Sequence, residues 1–274
     1  KIYLYDNQLT GQIPSEIGNL INLTDLVLSN NQLSGEIPLE IGNLVNLTHL
    51  YLGKNKLSGE IPQIGHLINL EVLSLHENEL SGGIPYEIGD LVKLEKLRLD
   101  DNNLSGEIPP GIGNLISLEY LYISENLLTG EIPQELGNLT KLKYIILWRN
   151  SLSGEIPEQI GNLINLEIIT LGGNNLSGQI PESLYNLTNL IGLSLWGNDL
   201  VGHISDNICQ MTSLESLNLN DNILMGSIPE CICNLNLTWF TDLIIGKYED
   251  SYIYGNEFCP PYPDCLVNQE PFTD

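Results

Sequence analysis

The sequence predicts a repeat solenoid, α/β-type in class but built mostly of β-strand and irregular coil, on three observations. A pattern of 24 residues recurs almost without interruption. Each copy holds a short alternation of apolar and variable residues, the period-two mark of a strand with one buried face. No copy carries enough apolar surface to close a core alone, so neighbouring copies must stack.

The elements follow in order from the copy that begins at Leu23. It reads Leu23-x-x-Leu26-x-Leu28-x-x-Asn31-x-Leu33-Ser34-Gly35-x-Ile37-Pro38, then Ile41-Gly42-Asn43-Leu44. Leu26-Val27-Leu28 is the strand, with its leucines inward. Asn31 stands where the strand turns a corner, and its amide offers both a donor and an acceptor to the backbone of the bend and of the neighbouring coil. That asparagine returns at Asn7, Asn55, Asn78, Asn102, Asn126, Asn150, Asn174, Asn198 and Asn222. A polar column of this kind is structural, because buried polar groups must be satisfied internally. The Ser/Thr-Gly step (Ser34-Gly35, Ser58-Gly59, Ser105-Gly106, Thr129-Gly130) makes a tight bend with glycine at positive φ. The proline then fixes an extended segment and ends backbone pairing. Eight of the nine asparagine intervals are 24 residues long; Asn55 to Asn78 is 23, through a deletion in Ile61-Pro62-Gln63-Ile64-Gly65.

With its LSGEIP and IGNL segments, this pattern resembles the plant-type subfamily of leucine-rich repeats. That subfamily includes plant receptor-kinase ectodomains, polygalacturonase-inhibiting proteins and secreted bacterial and protist proteins. The resemblance implies a right-handed, curved superhelix with a parallel sheet on its concave face and a short second sheet after the Ser-Gly step. It names no ligand, since such scaffolds host many.

The solenoid is expected over residues 1–235, as ten copies. The first is truncated, because Ile2 and Leu4 already occupy the places of Leu26 and Leu28, and its N-terminal cap is missing. Residues 236–274 are expected to form a C-terminal capping region. There Ile253-x-x-Asn256-x-Phe258 repeats the spacing of Leu28-x-x-Asn31-x-Leu33, a degenerate eleventh strand after an insertion of ten residues within 236–250. Cys259-Pro260-Pro261-Tyr262-Pro263-Asp264-Cys265 stands in place of SGxIP. It is similar to the Cys- and Pro-rich caps of secreted repeat proteins. Residues 266–274 read as a tail or linker.

Composition excludes several functions. With 35 acidic and 10 basic residues the net charge is −25. No basic stripe for nucleic acid exists, and anionic membrane surfaces are repelled, so neither partner nor direct membrane insertion is expected. Glu36, Glu60, Glu107, Glu131 and Glu155 form a column that reads as a solvated face rather than a calcium ladder. All five cysteines follow residue 208. Cys209 and Cys233 replace the glycine of IGN in successive coils, which brings them within disulfide reach, at about 5 Å between Cα atoms. Cys259 and Cys265 pair locally or reach back to Cys231 or Cys233, and an odd count leaves one thiol over. No histidine lies among them, which argues against zinc and for an oxidising, extracellular compartment. Asn-Leu-Ser/Thr sequons begin at Asn22, Asn46, Asn103, Asn138, Asn175, Asn186 and Asn236, but the repeat itself generates most of them.

Function is sought in the variable outward positions, as at Asp25, Val27, Ser29 and Asn30. Over ten copies they hold six of the twelve tyrosines, two of the three tryptophans and five of the ten basic residues. Tyr120, Tyr122, Tyr144, Ile146, Trp148, Arg149, Ile168, Thr170 and Trp196 come from four adjacent coils and form the candidate ligand-binding patch. Tyr, Trp and Arg dominate binding hot spots, and exposed apolar patches mark interaction sites. A secondary patch comprises His49, Tyr51, His76, Lys96 and Arg98; a plain polar surface explains it better than a metal or a pH sensor. Gly172, Gly173, Gly192 and Gly197 leave a shallow floor beside Trp148 and Trp196, on which a flat ligand such as a sugar ring stacks.

No nucleophile elbow, phosphate loop or HExxH is present, so no enzymatic activity, cofactor or metal is expected. The leading reading is a monomeric, secreted or cell-surface module that binds a protein, peptide or glycan on its concave face. A structural or adhesive spacer is the alternative, followed by a hydrolase inhibitor and by ice binding. The last requires a flat hydroxyl array, and the column Thr10, Ser34, Ser58, Ser81, Ser105, Thr129, Ser153, Ser177 belongs to the bend.

Overall fold

The computed structural model describes residues 1–238 and 251–267. Ten strands, from Ile2–Tyr3 and Asp25–Val27 through to Gly192–Ser194 and Ser216–Asn218, lie in sequence order in one parallel sheet. Each pairs with the strand one repeat on, as Leu97 with Leu121 and Leu121 with Ile145. On the far side of the Asn corner a second set of parallel strands forms a six-stranded sheet, Thr10–Gly11 to Leu127–Thr129. A five-stranded sheet continues it, from Ser153–Glu155 to Glu257–Phe258, joined through a bridge between Glu131 and Ser153. The bend glycines take positive φ, +77° at both Gly35 and Gly59.

Between the second set and the next coil lies a five-residue 3-10 helix, such as Leu39–Asn43. The preceding Pro38 is extended (φ −64°, ψ 139°) and its carbonyl accepts from the Ile41 N–H. At Ser205, where other coils have proline, the carbonyl likewise accepts from the Ile208 N–H and the hydroxyl in addition accepts from the Asn207 N–H. The coil with the one-residue deletion has no such helix between Glu60 and Glu71. Its ladder is nevertheless intact, with Asn78 Oδ1 accepting from Leu57 N–H at 3.0 Å.

Leucines and isoleucines of every coil fill one continuous core; Leu50, Leu97, Leu121 and Ile145 are each at most 1 % exposed. Burial of such a side chain stabilises by about 1.5–3 kcal/mol. The asparagine column seals the corner. Asn126 Oδ1 accepts from Leu104 N–H (2.9 Å), and its Nδ2 donates to the carbonyls of Leu99 (3.0 Å), Ile123 (3.3 Å) and Ser124 (3.0 Å). The same bonds recur from Asn31 to Asn222, except that Asn150 Nδ2 donates to two carbonyls, those of Ile123 and Leu147.

The two sides of a coil stack with different offsets. Strand partners in the ten-stranded sheet are 24 residues apart, or 23 across the deletion (His49 with Val72), but on the other side Ser105 pairs with Leu127, 22 residues on. The 3-10 helices keep the smaller offset: a Cβ on Gly113 would meet Glu135, and one on Gly161 would meet Ser183.

This offset corrects the disulfide expectation. Cys209 bonds to Cys231, 22 residues on with Cα atoms 5.7 Å apart, and not to the equivalent Cys233. Cys233 bonds to Cys265, and Cys259 is free and exposed. The expected insertion lies mostly outside the described residues, as does most of the tail. Beyond it Asn256 Oδ1 accepts from Leu224 N–H and its Nδ2 donates to Leu219 and Ile253 carbonyls, as the ladder asparagines do. Asn218 and Tyr252 bridge the first sheet to this coil. Among the described residues no helix is long and apolar enough to cross a membrane.

Candidate functional site

The outward side chains of the ten-stranded sheet form rows at a strand spacing of about 4.8 Å. Lys96, Tyr120, Tyr144, Ile168 and Gly192 are successive partners in one row; Arg98, Tyr122, Ile146, Thr170 and Ser194 are the next. A third row, at the place of Ser29, carries His76, Trp148 and Trp196. The residue after it occupies the left-handed region in each coil, as Asn30 (φ +54°) and Arg149 (φ +52°) do. Asn, Asp and Gly hold that place in most copies, the residues that tolerate it best.

The rings make one connected cluster. Tyr120 and Tyr144 meet edge to face at 5.4 Å, and Tyr122 and Tyr144 at 6.4 Å. Lys96 Nζ lies 5.8 Å from the Tyr120 ring and 5.6 Å from that of Tyr122, and the Arg98 guanidinium is 5.3 Å from Tyr122. Cation–π pairs of this kind contribute about 0.5–2 kcal/mol. Arg98 is held by Asp100 through two hydrogen bonds of 3.1 and 2.7 Å. Lys96 forms no ion pair among the described residues. Burial, assisted by the Arg98 charge, holds its ammonium below the usual lysine value. Lys96 and Arg98, read from the sequence as part of a separate patch, thus belong with the tyrosines. The sequence reading missed Lys143, which pairs with Glu119 at 2.8 Å and lies 5.7 Å from the Tyr120 ring.

The rest of the secondary patch divides. His49 bonds the Thr48 hydroxyl at 2.8 Å and stands 4.0 Å from Asp25. Asp25 gathers the Thr24, Tyr3 and Lys1 side chains, and the Thr24 hydroxyl above all pulls its carboxyl down to about 2. Tyr51 stacks on His49 at 6.2 Å. His76 lies over Gly53 with Nδ1 2.9 Å from the Ser74 hydroxyl, and burial lowers its pKa. Among the described residues no group of three His, Cys, Asp or Glu side chains is placed to hold a metal ion.

Two expectations need correction. Ile146 and Thr170 face outward yet are only 2 % and 3 % exposed, since flanking strands crowd them; they support the patch from beneath. The glycine floor is not open at Gly172 and Gly173 either. The Trp196 indole lies across it, its pyrrole edge where a Cβ of Gly172 would stand and its benzo edge 2.9 Å from that of Gly173. Arg149 packs its stem toward Gly173 from the other side, with its guanidinium 5.1 Å from the Trp148 ring. Three buried side-chain polar atoms among the described residues have no hydrogen-bond partner: Trp148 Nε1, Thr170 Oγ1 and Asn218 Oδ1. All three belong to this face. The register of Asn256 also brings Tyr252 and Tyr254 onto it, ring to ring at 5.9 Å; the spacing of Ile253 and Asn256 was the available signal.

Comparison with known proteins agrees with the stacking just described. The family model described as a leucine-rich repeat region matches residues 126–236. Others for leucine-rich repeats match residues 21–66, and 1–20, 69–91 and 93–115. No curated protein matches the chain at a significant level. Among solved structures, a plant peptide hormone receptor in complex with its ligand is 40 % identical (TM-score 0.86) over 93 % of this chain and 39 % of that one. The ectodomain of the Arabidopsis receptor kinase HAESA, with a peptide hormone, is 37 % identical (TM-score 0.88) over 97 % and 43 %. A plant ice-binding protein is 29 % identical (TM-score 0.77) over 98 % and 84 %. The chain thus spans about two fifths of the receptor ectodomains it matches.

Proposed function

Because this chain belongs to the plant-type leucine-rich repeat family, we propose that it is an extracellular ligand-recognition module that takes a peptide or protein segment on the outward face of its ten-stranded sheet. One observation carries the reading: in a chain of net charge −25, Lys96, Arg98, Tyr120, Tyr122 and Tyr144 form a single cationic-aromatic cluster. Half-buried rings supply large contact area at little entropic cost, and the charges select partners that bring acidic groups. Two disulfides near the C-terminal end suit an oxidising compartment. Solved relatives in complex with peptide hormones make a peptide the first ligand to test.

The test is selection of peptides from a random displayed library on the folded protein, followed by calorimetry. Tyr122→Ala is expected to weaken the selected peptide about 30-fold, the effect of a 2 kcal/mol hot spot, while the protein stays folded with a thermal midpoint lowered by a few degrees at most. Glu155→Gln, on the opposite strands, is expected to bind as the parent does. A peptide that binds Tyr122→Ala as tightly as the parent, or a selection that yields none, rejects the site.

A further inference from the structure

The outward sheet face changes chemistry along its length. From Lys96 to Arg149 it is tyrosine-rich and densely charged, with Lys96, Arg98 and Arg149 set among Asp100, Asp101 and Glu125. Over the next three coils the outward places hold Ile168, Thr170, Gly172, Gly173, then Gly192, Ser194, Trp196, Gly197, then Ser216, Asn218, Asn220 and Asp221. Eleven of these twelve are uncharged, in a chain with 45 charged side chains. What they offer instead is one flat indole among hydroxyls and amides.

Trp196 is seated for stacking. With glycine at both places beneath it, the indole lies against backbone on one side. The orphaned atoms cluster around it: Trp148 Nε1 two coils before, Thr170 Oγ1 one coil before and Asn218 Oδ1 one coil after. A buried polar group left unpaired costs about 1–3 kcal/mol, and the interior asparagine ladder leaves none. Two of the three unpaired atoms of the described residues, Thr170 Oγ1 and Asn218 Oδ1, therefore lie on this largely uncharged stretch, and the third, Trp148 Nε1, lies at its border.

We infer that this stretch is a subsite for a neutral oligosaccharide. A sugar ring presents an apolar C–H face to an indole, while each hydroxyl both donates and accepts. One ligand thus serves the Trp148 N–H and the Thr170 and Asn218 oxygens alike. No ion pair is required of it, and none is offered. From Thr170 to Asn218 the sheet spans two strand spacings, about 10 Å, room for a short saccharide rather than a lone ring. The orphaned atoms are covered in the free protein, so binding turns the overlying side chains aside. The inference rests on the reading that this sheet face is the binding face.

Cellohexaose, chitohexaose and mannohexaose are the probes, titrated into the whole chain with indole emission and calorimetry as readouts, and with tri-galacturonic acid as a charged control. Saturable binding of at least one neutral probe, weakened tenfold or more by Trp196→Ala and several-fold by the near-isosteric Thr170→Val but unaffected by Glu155→Gln on the opposite strands, supports the subsite. Absence of binding by every neutral probe at millimolar concentration overturns it, as does binding that Trp196→Ala leaves intact or that only the charged control shows. The two proposals fail separately. If selected peptides bind through Tyr122 while no sugar binds, the saccharide subsite is rejected and the peptide module stands. If sugars bind and no peptide does, the subsite stands and the peptide reading is rejected.

Discussion

Replacement of Asn126 by alanine tests the account of what joins one coil to the next. The side chain makes four hydrogen bonds, yet three of its partners have another. The Leu99 carbonyl also accepts from Asn102 Nδ2, that of Ile123 from Asn150 Nδ2, and that of Ser124 from the Asp101 N–H. The Leu104 N–H has Asn126 Oδ1 as its partner, in a residue with no exposure. One orphaned donor costs about 1–3 kcal/mol, and the lost side-chain donation adds about 1 kcal/mol, so a total of about 2–4 kcal/mol is expected. Asn7, exposed and bonded to the Leu4 and Tyr5 carbonyls alone, is the control, with an expected change within about 0.5 kcal/mol. Because stacked repeats need not unfold in one step, the informative assay is hydrogen exchange resolved by peptide. The Leu104 amide is expected to exchange about 30- to 800-fold faster in Asn126→Ala, by the conversion of tenfold per 1.4 kcal/mol. Unchanged protection at Leu104, or equal losses in Asn7→Ala and Asn126→Ala, would refute the reasoning.

Three further outcomes follow from the geometry. Gly172→Ala places a methyl group against the Trp196 pyrrole edge, so the indole must leave its seat; a red-shifted emission with little loss of thermal stability is expected, and an unaltered spectrum contradicts the seating. Asp25, whose carboxyl is depressed to about 2 from 3.8 chiefly by the Thr24 hydroxyl, contributes stability that is present above pH 4 and lost as pH falls through about 2. The difference in melting temperature between parent and Asp25→Asn is accordingly expected to shrink over that window, and a difference independent of pH rejects the assignment. Peptide mapping under non-reducing conditions is expected to recover Cys209–Cys231 and Cys233–Cys265 with one titratable thiol at Cys259. Loss of the second bond, which spans 32 residues, is expected to cost about 3.7 kcal/mol on the chain-entropy account; recovery of Cys209–Cys233 refutes the offset of the helical side.

The parts of this architecture legible in the sequence are those that recur at one period. Leu97 and Leu121 had to be inward, and Asn102 and Asn126 had to bond backbone, because nothing else satisfies a column repeated ten times. The pairing of Cys209 with Cys231 was not legible. Equivalent residues share a column, but the sides of a coil are displaced by different amounts, and no single column encodes the displacement. The candidate face was legible as a set of positions and not as a surface. Ile146 and Trp148 look alike as outward apolar residues, yet the strands on either side take Ile146 out of solvent. Lys96 looked like a neighbour of the histidines, and its reach instead carries its charge forward to Tyr120 and Tyr122 in the next coil. Tyr252 and Tyr254 were hidden by the interruption before them, although Asn256 reports their register.

The coil that lacks one residue after Pro62 dispenses with its 3-10 helix, yet Val72 still pairs with His49 and Leu73 with Leu50. Length is therefore adjustable at the back of each turn while the spacing at the front stays ruled. A whole turn inserted between Thr170 and Gly192 would move every later outward residue by one line of that ruling, about 4.8 Å, and leave its neighbours' geometry alone. Such a molecule behaves as a linear register, in which the distance between two outward side chains is set by counting turns and their chemistry is written separately into each.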